Sequence, residues 1–249
     1  MPIADSIPAL PADAAIFLDF DGTLVEITPR PDDVAVPPRL TDILRRLTDR
    51  HGGALALVSG RRIAELDRFL KPLRLPAAGV HGLERRRVDG TRVRRATPRW
   101  MAAVLPELDM VVRAHPGVLV EKKRLSVAVH YRGVPAARPA VDAVVDRLAR
   151  ELGPRVRAEH GKMVAELRPA GHDKGTAIAA FMTEAPFRGR RPVCLGDDLT
   201  DEAGFAVANR MGGLSIHVGH RTDTAATWAL PDVTAVHAWL EQSLTDSGT

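Results

Sequence analysis

Short apolar runs alternate with helix-like segments along most of the chain. Runs of this kind, rich in branched side chains, are typical of strands that are buried on both faces of a parallel sheet. They predict strands at 14–18, 54–58, 191–195 and 214–219, and a short strand with a glycine-bracketed turn at 77–82. Apolar residues at helical spacing predict helices at Pro38–Arg50, from about Ile63, after Asp173, around Phe205 and at 233–244. This alternation predicts an α/β fold with a Rossmann-like core around a parallel sheet.

The middle of the chain has a different, more amphipathic pattern. It predicts a helix at 98–114, strands at 117–121 and 125–131, a helix at 136–152, and strands at 155–160 and 162–167. The order αββαββ is typical of an antiparallel sheet covered by two helices, which predicts a small inserted α+β domain. We therefore expect a core domain formed by residues 1–98 and 170–249 and a cap domain at 99–169. Before the insert, Asp89-Gly90 predicts a hairpin over 83–95, and the run Arg85-Arg86-Arg87 predicts a solvated face.

Composition narrows the function classes. The 249 residues include 35 Lys and Arg against 31 Asp and Glu, a net charge of +4, but the arginines are scattered and lack interleaved aromatic residues. This pattern argues against a nucleic-acid partner and is compatible with an anionic substrate. The first residues lack the features of a secretory leader, and no apolar stretch approaches the ~18 residues of a membrane span. With a single cysteine, Cys194, expected in a buried strand, we predict a cytoplasmic monomer without membrane partners.

The main candidate for chemistry follows the first predicted strand. Asp19 and Asp21 are two residues apart, so both side chains can point into one pocket beyond the sheet edge. Two carboxylates so close repel each other, and a site that keeps both must bind a divalent cation or protonate one acid. An acidic turn with Gly22 at its corner would explain the same residues.

Other polar residues occur where later strands end or helices begin. Ser59 follows the second strand and is suited either to hold a phosphate oxygen or to cap the next helix. Asp173 is expected to cap a helix with Lys174 in its first turn. A cation is unfavourable there, so an anionic partner such as Asp19 or a phosphate is expected. His81 could contact a phosphate or sugar hydroxyl, or stabilise its own turn.

Four acids lie within six residues at 197–202. Thr200 is expected as a helix N-cap with Asp201 and Glu202 in the first turn, which would account for part of this charge. It does not account for Asp197 at the strand tip, where the charge needs a cation.

These segments carry a family resemblance. DFDGTL at 19–24, SGR at 59–61, Lys174 and GDDLTDE at 196–202 resemble, in order, the four motifs of the haloacid dehalogenase superfamily. VSGR and GDDLTDE are similar to the versions found in trehalose-6-phosphate phosphatases. The segments 120–132 and 160–169 resemble the cap segments of that family, except that Lys122 stands where the family commonly has Asp.

The resemblance implies a mechanism and a substrate. Asp19 is expected to attack phosphorus and form an aspartyl-phosphate, and Asp21 to act as general acid and then base. Mg²⁺ is expected to be held by the Asp19 carboxylate, the Asp21 backbone carbonyl and Asp197, with Asp201 acting through water. Ser59 and Lys174 are expected to bind phosphoryl oxygens. The implied substrate is trehalose 6-phosphate, and the implied substrate-binding residues are Gly60, Arg61, His81, Glu121, Lys123, His130, Lys162, Glu166 and Arg168.

Three alternatives stay open. A sugar phosphomutase would use the same two acids, and a sucrose- or mannosylglycerate-type phosphatase would differ only in its substrate. A catalytically silent binding protein is disfavoured because every chemical position is filled. The charged residues of the cap could also be an ordinary solvent-exposed strand face.

Overall fold

The chain divides into two compact units in a computed structural model that describes residues 7–28, 30, 33–94, 97–161 and 163–245. The larger unit combines the residues up to Arg94 with those from His172 onward, and the smaller unit comprises the residues between them.

The helices and strands follow one another in three segments. The first contains β1 (Ala14–Leu18), α1 (Pro38–Arg50), β2 (Leu55–Val58), α2 (Ile63–Phe69), β3 (Ala77–Gly79), β4 (Glu84–Arg86) and β5 (Arg92–Arg94). The second contains α3 (Trp100–Ala114), β6 (Leu119–Lys122), β7 (Val127–His130), α4 (Arg138–Leu152), β8 (Val156–Gly161) and β9 (Val164–Pro169). The third contains α5 (Lys174–Met182), β10 (Arg191–Gly196), α6 (Glu202–Arg210), β11 (Leu214–Val218), β12 (Trp228–Leu230) and α7 (Val233–Thr245).

Eight of the described strands form the sheet of the larger unit, in the order β12-β11-β10-β1-β2-β3-β4-β5. The pairs from β12 to β3 are parallel, and β4 and β5 continue the sheet as an antiparallel hairpin. β1 lies between β10 and β2, so the strand before Asp19 has a neighbour on each side. The carboxyl ends of the parallel strands share one edge, which is where open α/β sheets bind ligands.

Both faces of this sheet are covered, which explains the continuous apolar runs. On β1, Ile16 and Leu18 belong to a core that includes residues of α1, α2 and α7. Ala15 and Phe17 belong to a separate core with residues of α5 and α6. Because successive strand residues face opposite sides, a strand between two helical layers needs apolar residues at every position.

The smaller unit has an antiparallel sheet in the order β6-β7-β9-β8. Side chains of β7 and β9, including Val127, Val129 and Leu167, pack in one core with residues of α3 and α4. The intervening strand positions, among them Ala128 and Glu166, therefore face away from the helices.

The predicted fold class and the αββαββ order are confirmed. The short strand and glycine-bracketed turn predicted at 77–82 are also confirmed, as β3 and a 3₁₀ turn at Val80–Gly82. The predicted solvated face at Arg85-Arg86-Arg87 is confirmed for the exposed Arg87 but wrong for Arg85 and Arg86. The Arg86 side chain is buried and bonds to Asp67 and the Leu75 carbonyl, and Arg85 pairs with Glu184. These acceptors lie elsewhere in the sequence and meet the arginines only when β4 joins the sheet.

Among the described residues, no helix has the length and apolar character needed to cross a bilayer.

The buried histidine after α1 generates a prediction about stability. Burial lowers the pKa of His51, and the charges of Arg190 and Arg50 lower it further. The unfolded chain, with a histidine pKa of about 6.5, then binds the proton more tightly than the fold does. Stability should therefore fall as the pH drops below that value, and Tm should fall less in His51→Gln than in the parent between about pH 7.5 and about pH 5.5.

The exposed His220 provides the matched control for this measurement. His220→Gln should keep the parent's pH dependence. Burial and then Arg221 also lower the pKa of His217, so a residual dependence should remain in His51→Gln. If Tm of His51→Gln depends on pH as strongly as that of the parent, then His51 is not the source of the pH dependence.

Candidate active site

Two acidic motifs meet because the strands before them are neighbours. Leu18 of β1 pairs with Leu195 of β10 in parallel register, so Asp19 and Asp197 leave the same edge of the sheet. The Asp19 N–H donates to the Leu195 carbonyl at 3.0 Å, which fixes the start of the loop that carries the acid. Residues 178 positions apart in the sequence are therefore brought together by one strand pair.

Lys174 lies between two of these acids. It is the first residue of α5, and Asp173 caps that helix by accepting from the Thr176 N–H at 2.7 Å. Lys174 Nζ lies 2.9 Å from Asp19 Oδ1 and 2.7 Å from Asp201 Oδ1, and all three side chains are buried. Burial by itself would lower the pKa of Lys174, but the charges of Asp19 and Asp201 outweigh it and raise the pKa. The anionic neighbour expected for this lysine is thus present.

Three carboxylates form a cluster suited to a cation. Asp19, Asp197 and Asp201 each offer an oxygen atom within 4.8 Å of the others. Burial raises the pKa of Asp197 and of Asp201, and the charge of Asp19 raises both further. These shifts mean that the free site disfavours full ionisation. An all-oxygen carboxylate set is the type of donor set that Mg²⁺ prefers.

The loop after β10 differs from its predicted form. The expected N-cap at Thr200 is wrong, because Leu199–Asp201 forms a 3₁₀ turn and α6 begins at Glu202. Asp198 caps the 3₁₀ turn, since its carboxylate accepts from the Leu199 N–H at 2.6 Å, and the N-cap of α6 is Asp201. The 3₁₀ turn directs the Asp201 carboxylate inward, towards Lys174 and the Asp198 N–H.

Asp21 has a cation of its own. Arg61 Nε and Nη2 each lie 2.6 Å from a different oxygen of the Asp21 carboxylate, a bidentate pair. The Arg61 guanidinium lies 4.9 Å from the centre of the Phe69 ring and 5.7 Å from that of Phe20. These contacts hold a mostly buried arginine in one orientation, so each acid of the first motif faces its own basic group.

Ser59 lies at the end of β2 and is almost fully buried. It does not cap the next helix, since the N-cap of α2 is Arg62, and its Oγ instead accepts from the Arg61 N–H at 3.2 Å. The imidazole ring of His81 lies directly over Gly60. The serine and the histidine therefore belong to one connected loop region at the carboxyl edge.

Two features of this edge were not predicted from the sequence. Thr23 is fully buried, and its Oγ1 lies 3.4 Å from Asp197 Oδ1. A cavity of about 400 Å³ lies beside Asp197, with the buried His217 and Arg221 in its wall. Thr23 belongs to the first motif, so its place in the site could have been predicted from the sequence. The cavity could not, because the loops that form it are distant in sequence.

In the smaller unit, the predicted sugar-binding residues contact one another across strands. Glu121 pairs with His130 at 2.9 Å. Glu166 accepts a short hydrogen bond from Ser126 Oγ and lies 3.4 Å from Lys123 Nζ. Glu121 and Glu166 occupy the same row of the sheet, on either side of Ala128. This face therefore carries two groups of paired polar side chains, Glu121 with His130 and Glu166 with Ser126 and Lys123.

Arg168, another predicted substrate-binding residue, already has a charged partner. Arg168 is buried, and its Nη1 bonds to Glu159 at 2.6 Å, so its charge is already paired on the neighbouring strand. Lys162, the remaining predicted sugar ligand, lies outside the described residues.

Comparisons of the sequence and of the fold with known proteins lead to the same family. The profile of the trehalose-phosphatase family matches residues 17–234. The trehalose-6-phosphate phosphatase of Escherichia coli is 46% identical over 239 residues, covering 96% of this chain and 89% of the relative. A probable trehalose-phosphate phosphatase of Sinorhizobium fredii is 44% identical, covering 86% of this chain and 82% of the relative. The C-terminal domain of trehalose-6-phosphate phosphatase from Candida albicans has the same fold, with a TM-score of 0.74, 21% identity and coverage of 96% and 98% of the two chains.

The buried lysine generates a prediction about electrostatics. In Lys174→Met, Asp19 and Asp201 lose their shared partner, and breaking a buried ion pair costs about 3–5 kcal/mol. We expect the free energy of unfolding, measured with urea in the presence of a chelator, to fall by about this amount.

The double variant Lys174→Met/Asp201→Asn separates the ion pair from packing. It removes one of the unpaired carboxylates and should be more stable than the single variant, although it carries one more substitution. A double variant that is less stable than Lys174→Met would contradict this interpretation.

Proposed function

Since this chain belongs to the trehalose-phosphatase family, we propose that it hydrolyses trehalose 6-phosphate to trehalose and inorganic phosphate through an aspartyl-phosphate on Asp19. The observation that supports this most strongly is the cluster of the buried Asp19, Lys174 and Asp201 with the partly exposed Asp197. It joins a nucleophile, an anion-binding cation and a carboxylate cation site at the ligand-binding edge of the sheet.

In the proposed first step, Asp19 attacks phosphorus in line with the sugar oxygen that departs. Phosphoryl transfer depends mainly on positioning and charge neutralisation, and a covalent intermediate divides one difficult step into two. The contact between Lys174 and Asp19 holds the carboxylate at the end of β1. Lys174 and the hydroxyl of Ser59 are proposed to bind oxygens of the transferred group.

Asp21 is proposed to protonate the departing oxygen and later to activate the water that hydrolyses the intermediate. Such general acid–base catalysis contributes about 10²- to 10⁴-fold. Because both Asp21 oxygens accept from Arg61, one of these hydrogen bonds must be exchanged for the leaving group. We therefore propose that Arg61 acts through Asp21, as a residue that orients the acid, rather than on the sugar.

The fit of Mg²⁺ rests on charge and donor chemistry. Three ionised carboxylates and one ammonium leave two negative charges in a buried space, which a divalent cation would cancel. Asp19, Asp197 and the backbone carbonyl of Asp21 would hold the ion, with Asp201 acting through water. When bound, the ion would supply Lewis-acid stabilisation of charge on the phosphoryl oxygens.

The smaller unit is proposed to recognise the sugar. Carboxylates and ammonium groups on the helix-free face of its sheet can hydrogen-bond sugar hydroxyls, and Glu121, Lys123, His130 and Glu166 are grouped there. Arg168 is proposed to support this face through Glu159, because its own charge is paired.

A phosphate-release screen over sugar phosphates tests the proposed function. Trehalose 6-phosphate should be the preferred substrate, with activity lost on chelation and restored by Mg²⁺. Asp19→Asn should abolish turnover of every substrate, because an amide cannot form the aspartyl-phosphate.

Several outcomes would contradict this proposal. Preference for sucrose or mannosylglycerate phosphate would replace the substrate, and an isomerised sugar phosphate in place of free phosphate would indicate a mutase. Full activity after exhaustive chelation would exclude the metal, and turnover by pure Asp19→Asn would exclude the nucleophile.

Glu166→Ala tests sugar recognition separately from the phosphate chemistry. A charge-assisted hydrogen bond is worth about 1.5–3 kcal/mol, so kcat/KM for trehalose 6-phosphate should fall about ten- to hundredfold. The kcat/KM for p-nitrophenyl phosphate should stay close to that of the parent, because this substrate lacks the sugar. Lys162→Ala is expected to behave in the same way.

Glu107 offers a matched control in the same unit. It pairs with Arg147 on the helical layer, so Glu107→Ala removes a carboxylate without touching the sheet face. It should leave both substrates unaffected. Equal losses on both substrates in Glu166→Ala would mean that Glu166 supports the fold and not sugar binding.

A further inference from the structure

The turn after β3 has an unusual backbone. Val80, His81 and Gly82 have φ values of 50°, 51° and 95°, so three consecutive residues adopt left-handed conformations. Glycine tolerates this region, but it is a genuine outlier for a β-branched residue such as Val80. A strained conformation of this kind persists only where surrounding contacts enforce it, and such positions cluster at functional sites.

One side of the turn holds the loop that follows β2. The Val80 N–H donates to the Arg61 carbonyl and the His81 N–H to the Ser59 carbonyl, each at 3.0 Å. The approach is so close that a Cβ atom at Gly79 would lie 2.7 Å from the Arg61 oxygen. The turn is thus attached to the Ser59 loop by hydrogen bonds between backbone atoms.

The other side of the turn abuts the helix that carries Lys174. A Cβ atom at Gly82 would lie 2.8 Å from the Asp173 carbonyl oxygen and 3.3 Å from the Cβ of Ala177. Asp173 is the residue that caps α5 immediately before Lys174. The backbone of the turn therefore contacts both the Ser59 loop and the start of α5. These are the two segments that carry the proposed phosphoryl ligands Ser59 and Lys174.

We propose that the left-handed turn Val80–Gly82 is a positioning element that sets the separation between Ser59 and Lys174 around the transferred phosphoryl group. This rests on the proposed function only in that Ser59 and Lys174 bind that group, and not on the identity of the sugar. The left-handed φ values of the turn occur together with hydrogen bonds to the Ser59 loop on one side and a close approach to the start of α5 on the other. Gly79 and Gly82 provide the close approach on the two sides.

Two substitutions test the two sides. Gly82→Ala introduces a Cβ against the Asp173 backbone, and Gly79→Ala introduces one against Arg61 without requiring a left-handed alanine, since φ of Gly79 is −106°. Gly90→Ala is the matched control, because Gly90 has φ of 81° but a Cβ there would meet no atom within 4 Å. It carries the conformational cost of Gly82→Ala without the contact.

The probes are p-nitrophenyl phosphate, inorganic phosphate and orthovanadate, all with Mg²⁺, together with Tm. Vanadate resembles the transition state, whereas phosphate resembles a ground state. A misplacement on the scale of 1 Å can cost about 10²-fold, so kcat should fall and the vanadate inhibition constant should rise about 10- to 100-fold in Gly79→Ala and Gly82→Ala. KM and the phosphate inhibition constant should change much less, and Gly90→Ala should match the parent.

If Gly82→Ala does not fold, Gly79→Ala decides alone. A folded variant with lower Tm but vanadate inhibition within twofold of Gly90→Ala would make the turn merely structural and overturn the proposal. A parent that hydrolyses the aryl phosphate but not trehalose 6-phosphate would refute the proposed substrate and leave this inference standing. A parent that binds no vanadate would overturn both.

Discussion

The ion pairs of Lys174 with Asp19 and Asp201 are the interactions on which the arrangement of the candidate active site depends. Burying carboxylates side by side is unfavourable, because each raises the pKa of the next and resists ionisation. A buried lysine offsets part of that charge and leaves room for a divalent cation to offset the rest. The sheet order, with β1 next to β10, and the start of α5 at Lys174 are what bring these charges within contact distance.

The first motif shows how adjacent acids can be given different tasks. Asp19 faces Lys174 in a buried site, whereas Asp21 faces Arg61 and is more exposed. An ammonium is a compact point charge that suits a nucleophile shared with a cation, whereas the planar guanidinium fixes the orientation of a carboxylate through two parallel hydrogen bonds. Stacking on Phe69 and Phe20 adds to this fixation. The different proposed roles of the two acids thus have a physical basis in their partners.

In the smaller unit, the sequence could not show whether the charged residues of the strands are solvated or paired. Its alternating polar residues were compatible with an ordinary solvated face. In the structure Glu166 contacts Ser126 and Lys123, and Arg168 is buried against Glu159. Polar side chains that pair with one another are better preorganised for binding a polyol than side chains that are each hydrated separately.

Elements with local sequence signals were predictable without the structure. Apolar runs predicted β1 and β10 because a strand between two helical layers must be apolar on both faces, and helical spacing predicted α1 and α7. The charge of Lys174 in a first helical turn even predicted an anionic neighbour. Contacts between groups far apart in the sequence were not predictable in this way, because they depend on how the strands pair and pack. Arg85 and Arg86 are buried because strand pairing brings them to distant acceptors, and Asp21 is held by an arginine from the β2 loop. The left-handed backbone at Val80 was likewise unpredictable, because a β-branched residue disfavours that conformation locally. The segments that contact this turn, the loop after β2 and the start of α5, are also separate from it in the sequence.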